Sequence, residues 1–172
     1  MSVILVIGPS GVGKSDYGAF AARKIPGGCF HDLDDEVARR EGCSAGVLLP
    51  AYGADRFTET CGDVVRELAR GNSQRRLLII AVGAGALESA RAAEWIFTFP
   101  HTLAVMAPPA EVYARGGARN ISRSLAQFTA CEYSKQRCEL YRRCAQQCDV
   151  TGLALQEARE RFASVAHEIG GG

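Results

Sequence analysis

Short apolar runs alternate with longer amphipathic or polar stretches along most of this chain. Residues 3–7, 77–82 and 103–106 are continuously hydrophobic, which is typical of strands buried on both faces of a parallel sheet. Residues 29–31 predict a second, shorter strand, and residues 149–151 predict a short edge strand or a turn. This alternation predicts an α/β fold in three layers, with helices on both faces of a central parallel sheet of about five strands.

Helices are predicted between these strands. The predicted segments cover residues 14–24, a polar helix ending near 41, then 46–52, 56–70, 110–115, 131–147 and 155–169. Residues 116–129 differ, because they lack apolar periodicity and are rich in Gly, Ser, Asn and Arg. A long polar segment inside a domain predicts a mobile lid over a functional site.

Composition and charge fit one globular domain spanning residues 1–172. The length is sufficient for an ordinary core, and the net charge of +1 gives no signature of nucleic-acid or membrane binding. No apolar run approaches the roughly 20 residues that cross a bilayer. Seven cysteines without a C-x-x-C pair predict free thiols in a reducing compartment. We therefore expect a cytoplasmic monomer whose partner is a small molecule.

The strongest chemical signal is GPSGVGKS at residues 8–15, directly after the first predicted strand. It matches the G-x-x-x-x-G-K-[ST] phosphate-binding loop (P-loop), whose backbone N–H groups surround nucleotide phosphates. The alternative is a glycine-rich turn that binds nothing. Lys14 would neutralise the terminal phosphates, and the Ser15 hydroxyl would serve Mg²⁺. The residues predicted to bind nucleotide are Gly8, Ser10, Gly11, Val12, Gly13, Lys14 and Ser15.

Other strand ends place polar residues and glycines at the same edge of the predicted sheet. Asp32 can hold Mg²⁺ through water beside Ser15, and Asp34 can accept a proton from a substrate hydroxyl. The alternative is that both carboxylates only stabilise the N-terminus of the next helix. Gly83 and Gly85 leave room for a ligand, or they simply form a tight turn.

Three arginines, Arg115, Arg119 and Arg123, flank or occupy the predicted lid. A lid arginine that closes over a transferring phosphate stabilises the charge on its oxygens. Surface arginines are common, so the alternative for each is a solvated side chain. Arg115 precedes the lid and is our candidate for contact with the adenine base.

In order, these segments resemble the shikimate kinase family over nearly the whole chain. The P-loop is similar to that of the family, residues 30–34 resemble its F-x-D-x-D segment, and residues 83–85 fall at its three glycines. Arg123 begins a segment similar to its R-P-L-L lid motif, and Arg137 with Tyr141 resembles its R-x-x-x-Y helix. The resemblance implies a nucleoside-monophosphate-kinase-like fold and ATP- and Mg²⁺-dependent phosphorylation of shikimate to shikimate 3-phosphate.

The resemblance also implies roles for individual residues. Lys14, Asp34 and Arg123 would be catalytic, with Asp34 activating the acceptor hydroxyl and Arg123 acting from the lid. Ser15 and Asp32 would serve Mg²⁺, and helices over about 33–61 would bind the acceptor. The positions that would contact the acceptor are Asp34, Thr58, Gly83, Ala84, Gly85 and Arg137, the last through the acceptor's carboxylate.

Three of the departures from the family pattern fall where the acceptor would bind. Thr58 stands where the segment G-E-x-x-F-R-x-x-E has an arginine that would pair with the substrate carboxylate, and Cys61 stands at its closing glutamate. Ala84 adds a methyl group to the glycine turn. Loss of a charged hydrogen-bond partner costs roughly 1.5–3 kcal/mol. A kinase for another hydroxylated small molecule and a non-catalytic ATP-binding paralogue therefore remain as alternatives.

Overall fold

The computed structural model describes residues 2–116 and 123–170, which form a five-stranded parallel sheet flanked by helices. The strands pair in the order β2-β3-β1-β4-β5. This confirms the predicted fold class and the parallel sheet. The strands are β1 (Ser2–Ile7), β2 (Gly28–Asp32), β3 (Leu77–Ala81), β4 (His101–Met106) and β5 (Gln146–Asp149).

The helices of the described chain connect these strands on both faces of the sheet. A short 3-10 turn (Ala84–Leu87) follows β3. None of the helices in the described ranges is long and apolar enough to cross a membrane. They are α1 (Lys14–Lys24), α2 (Leu33–Glu41), α3 (Ala45–Tyr52), α4 (Ala54–Gly71), α5 (Ala92–Ile96), α6 (Pro109–Gly116), α7 (Leu125–Glu132), α8 (Lys135–Arg143) and α9 (Leu155–Gly170).

Alternate residues of the central strands divide the core into two clusters. Leu5 and Ile7 of β1 pack with α2, α3, α4, α5 and α8, whereas Ile4 and Val6 pack with α1, α6, α7 and α9. Successive side chains of a strand point to opposite faces, so one apolar run supplies both clusters. All four residues are fully buried. The fold therefore has the three layers that the apolar runs predict.

The strand register brings the chemical segments together at one edge of the sheet. Ala81 of β3 lies opposite both Val6 of β1 and Asp32 of β2. The P-loop after β1, the acidic segment after β2 and the glycine turn after β3 consequently begin side by side. Ligands of open parallel sheets bind at this carboxyl edge.

The predicted helix over residues 131–147 is wrong. The chain forms α7 up to Glu132 and α8 from Lys135, and Gln146–Asp149 is strand β5. Ser134 is extended and its hydroxyl accepts the Arg137 N–H, so it caps a new helix. The edge strand predicted at 149–151 is therefore displaced towards the N-terminus, because pairing with β4 decides its position.

The predicted lid, residues 116–129, ends in a regular helix. Ser124 and Gln127 form a capping box at the start of α7, and the Phe128 side chain in its middle is fully buried. Arg119 lies outside the described residues, so its role stays a prediction. Helix α5 was not predicted from the sequence at all.

The break between α7 and α8 gives a stability prediction. Ser134→Ala removes the cap of α8 and should lower the free energy of unfolding by about 1 kcal/mol. Urea denaturation measures the change, with Ser164→Ala on the exposed face of α9 as control. In an uninterrupted helix alanine would stabilise both positions equally, so equal effects would contradict the break.

Candidate active site

The P-loop joins β1 to α1 in a conformation that places its glycines at backbone angles that other residues rarely adopt. Gly8 has φ of 149° and Gly13 has φ of 112°. A Cβ atom at Gly8 would lie 2.4 Å from the Val105 carbonyl oxygen, and one at Gly13 would lie 2.4 Å from the Tyr17 ring. The loop is therefore packed against β4 on one side and α1 on the other.

Lys14 is buried, and its ammonium group is directed onto the loop itself. Nζ donates to the carbonyl oxygens of Gly8 at 2.9 Å and Pro9 at 3.0 Å. Burial lowers the pKa of Lys14 to about 8, against the opposing influence of Glu132, Asp34 and Asp32. Phosphate oxygens would favour the charged form of this lysine.

Ser15 and Asp32 meet at the start of α1. The Ser15 hydroxyl donates to Asp32 Oδ2 at 2.5 Å, and Asp32 Oδ1 accepts the Asp34 N–H at 3.1 Å as the cap of α2. Within the described ranges, no group of three or more His, Cys, Asp or Glu side chains could hold a metal. One hydroxyl and one carboxylate nevertheless fit Mg²⁺, which takes its other ligands from phosphates and water.

Asp34 places a buried carboxyl oxygen in the site. Its Oδ1 atom is buried and has no hydrogen-bond partner among the described residues. Burial raises the pKa of Asp34 above its ordinary value, Asp32 raises it further, and Lys14 acts in the opposite direction. An acceptor hydroxyl would supply the missing donor, as a general base requires.

Gly83 makes room for the Asp34 carboxylate. A Cβ atom at Gly83 would lie 2.1 Å from Asp34 Oδ1 and 2.2 Å from Oδ2. The turn after β3 therefore accepts no side chain at this position without displacing the carboxylate. Glycine is needed at position 83 for steric reasons alone, because its backbone is extended, a conformation that any residue can adopt.

A cleft of about 340 Å³ contains most of the predicted site residues. Its volume falls within the range of small-molecule sites. It joins the P-loop, the two aspartates and the glycine turn in one cavity. The residues that line it are Ser10, Gly11, Gly13, Lys14, Ser15, Asp16, Asp32, Asp34, Ala81, Val82, Gly83 and Ala84.

Arg115 borders a second cleft on the other side of the P-loop. It donates to the Tyr17 hydroxyl at 3.4 Å and to the Val150 carbonyl at 3.1 Å, and it pairs with Glu111. Leu153 also lines this cleft, together with loop residues. Apolar and guanidinium surfaces beside the P-loop fit a nucleotide base. The adenine contact of Arg115 stays a prediction.

Arg137 reaches the glycine turn but is already paired. The residue is 4% exposed, and its guanidinium donates to the Ala84 carbonyl at 3.2 Å and to Glu132 Oε2 at 2.7 Å. The predicted lid residue Arg123 lies over the Phe128 ring and 3.5 Å from the other Glu132 oxygen. Sequence reasoning missed Glu132, because its partners come close only through the break between α7 and α8.

Thr58 and Gly85 face core residues rather than the cleft. Thr58 is 1% exposed, and its hydroxyl donates to the Ala86 carbonyl at 3.2 Å. Gly85 faces Phe57 and Leu49. Neither residue belongs to the part of the cleft lining that the structure describes, so their predicted contact with the acceptor stays a prediction.

Comparison with known proteins decides the family. The model of the shikimate kinase family matches residues 10–169. The chain belongs to the shikimate kinase family. It is similar to the shikimate kinase of Nitrosococcus oceani, with 27% identity over 166 residues, a match that covers 96% of this chain and 84% of that protein.

Solved structures of shikimate kinases share the fold of this family member. The enzyme from Bacteroides thetaiotaomicron superposes with a TM-score of 0.77 at 19% identity, covering 98% of this chain and 97% of that one. The enzyme from Acinetobacter baumannii, in complex with shikimate, gives 0.75 at 20% identity, covering 98% and 93%. The predicted P-loop kinase fold is thereby confirmed.

The contact between Gly83 and Asp34 gives a prediction for activity. Gly83→Ala places a methyl group on the Asp34 carboxylate, and a shift of the base by about 1 Å should lower turnover about 100-fold. ATP-dependent turnover of shikimate measures the loss. Gly71→Ala is the control, because nothing lies within 4 Å of a Cβ atom there. Equal activity in both variants would contradict the contact.

The raised pKa of Asp34 gives a prediction for stability. The folded chain retains the Asp34 proton to higher pH than the unfolded chain, so its ionisation lowers stability as pH rises through the folded pKa. Asp34→Asn should therefore raise the melting temperature at pH 8, and this gain should shrink towards about pH 4. Thermal unfolding at both pH values measures it, with the exposed Asp35→Asn as control. A larger gain at the lower pH would reverse the predicted sign.

Proposed function

We propose that this chain transfers the γ-phosphoryl group of ATP to a hydroxyl of shikimate, giving shikimate 3-phosphate and ADP. One observation carries the proposal: the cleft joins Lys14 of the P-loop to the buried Asp34 oxygen that lacks a partner. Membership of the shikimate kinase family supports ATP as donor. The bound shikimate of the similar Acinetobacter baumannii enzyme supports the acceptor.

The donor side of the cleft would bind the phosphates. The loop N–H groups and the α1 N-terminus attract anions, and Lys14 would leave the Gly8 and Pro9 carbonyls for the terminal phosphates. Ser15 and Asp32 would hold Mg²⁺, which neutralises charge on the phosphate oxygens. Arg115 and Tyr17 would border the adenine base.

The acceptor side would supply the base. Asp34 accepts the hydroxyl proton as the acceptor oxygen bonds to the γ-phosphorus and the bond to the bridging oxygen of ADP breaks. Gly83 keeps the space around this carboxylate open. Arg123 would approach the transferring group from the start of α7 and stabilise its charge.

A second candidate is a kinase for another hydroxylated small molecule. Burial raises the pKa of the Cys61 thiol to about 12, so this side chain is neutral where the family has a glutamate. The Thr58 hydroxyl is bonded to the Ala86 carbonyl where the family has an arginine. The loss of a cation at Thr58 favours an acceptor with less negative charge than shikimate.

The partner that we propose is a small molecule, bound by a cytoplasmic monomer. The near-neutral net charge of +1 supports the absence of nucleic-acid and membrane partners. Ultracentrifugation of the purified chain gives its oligomeric state.

Steady-state ADP release in the presence of Mg-ATP and shikimate tests the proposed function. We expect saturable, shikimate-dependent turnover that Asp34→Asn lowers by about 10²–10⁴-fold, because the general base is lost. The affinity for ATP should change little, and Asp35→Asn should behave as the parent. Tight ATP binding without shikimate-dependent ADP would instead support the ATP-binding paralogue, and turnover of an uncharged polyol alone would support the second candidate.

A further inference from the structure

Glu132 lies at the end of α7 with its carboxylate almost completely buried, at 3% exposure. Donors from three segments converge on it. The Ser10 N–H donates to Oε2 at 3.0 Å, and Arg137 Nη1 donates to the same oxygen at 2.7 Å. Arg123 Nη1 lies 3.5 Å from Oε1. One internal anion thus connects the P-loop, the lid arginine and α8.

These donors belong to segments that anionic ligands would use. Arg137 is the residue expected to bind the acceptor's carboxylate, and Arg123 is the one expected at the transferring phosphate. Glu132 also makes the largest electrostatic contribution among the carboxylates that act on Lys14. The Glu132 carboxylate therefore already interacts with the cationic side chains that would bind an anionic ligand.

Two carboxylates, those of Glu132 and Glu88, lie close to the positive charge of Arg137. Besides Glu132, the guanidinium donates to the Ala84 carbonyl at 3.2 Å and lies 3.5 Å from the half-exposed Glu88 carboxylate. Thr58 offers a hydroxyl where a second guanidinium would stand in the family pattern. The guanidinium that would bind a carboxylated acceptor is therefore already shared between Glu132, Glu88 and the Ala84 carbonyl.

Stability alone gives a weak reason for a carboxylate at this position. Desolvation of a buried ion pair consumes most of its Coulomb attraction, so such pairs add little net stability over apolar side chains of similar volume. A carboxylate at this position is therefore better explained by its effect on ligand binding in the cleft than by its effect on stability.

We propose that Glu132 is a specificity-determining residue that competes with the acceptor's carboxylate for Arg137. This inference rests on the proposed function, because it concerns the acceptor of the same reaction. A carboxylated acceptor gains the Arg137 guanidinium only when it displaces Glu132, whereas an uncharged acceptor meets no competition. Glu132 thus weakens selection for the carboxylate of shikimate.

The test compares shikimate with its uncharged methyl ester. KM and kcat are measured for both acceptors in the parent chain and in Glu132→Gln, whose amide keeps the shape and can still accept the Ser10 N–H. We expect the KM for shikimate to fall about tenfold, the size of one charged hydrogen bond. The KM for the ester should stay unchanged, and kcat should change less than KM.

Two further variants separate charge from structure. Glu132→Asp keeps the charge and should retain the parent's ratio of the two KM values. Glu139→Gln makes the same charge change at an exposed position of α8 and should leave both acceptors unaffected. Melting temperatures confirm that each variant is folded.

The outcomes distinguish this inference from the proposed function. An equal change for shikimate and its ester, or no fall in the KM for shikimate, would overturn the competition while leaving the proposed function intact. Shikimate turnover gained only in Glu132→Gln would support the competition and overturn shikimate as the natural acceptor. Absence of shikimate-dependent ADP release from every variant would overturn both.

Discussion

The close approach of the Asp34 carboxylate to the backbone of Gly83 is the constraint on which the site depends. It holds a buried carboxyl oxygen in the same cleft as the P-loop, at the edge where β1, β2 and β3 end. No larger residue fits at Gly83 unless this carboxylate moves. The parallel sheet supplies the position, and the missing side chain of Gly83 supplies the space for the Asp34 carboxylate.

Burial shifts the two reactive groups of the cleft towards their neutral forms. It lowers the pKa of Lys14 and raises that of Asp34, although each group partly opposes the shift of the other. Phosphates would favour the charged lysine, and an acceptor hydroxyl would give Asp34 the donor it lacks. The Glu132 carboxylate also favours the charged form of Lys14. It accepts hydrogen bonds from the Ser10 N–H of the P-loop and from Arg137.

The sequence predicts those features that depend on local pattern. Continuous apolar runs predict β1, β3 and β4, and the spacing of glycine, lysine and serine predicts the P-loop. The bounds of strand β5 escape prediction because Cys148 is its single buried residue and pairing with β4 fixes its position. Glu132 escapes because its contact with Arg137 depends on the break between α7 and α8. The inward orientation of Thr58 depends on the turn that accepts its hydroxyl.

The role of Asp34 as base is tested by single-turnover transfer of the γ-phosphoryl group from ATP to shikimate, followed by rapid quenching across a range of pH. If Asp34 is the base, the rate falls in acid with a midpoint above the ordinary aspartate pKa of about 3.9, because protonation removes the base. This pH-dependent step should then disappear in Asp34→Asn. A transfer rate that is independent of pH and equal in the two proteins would contradict the assignment of Asp34 as base.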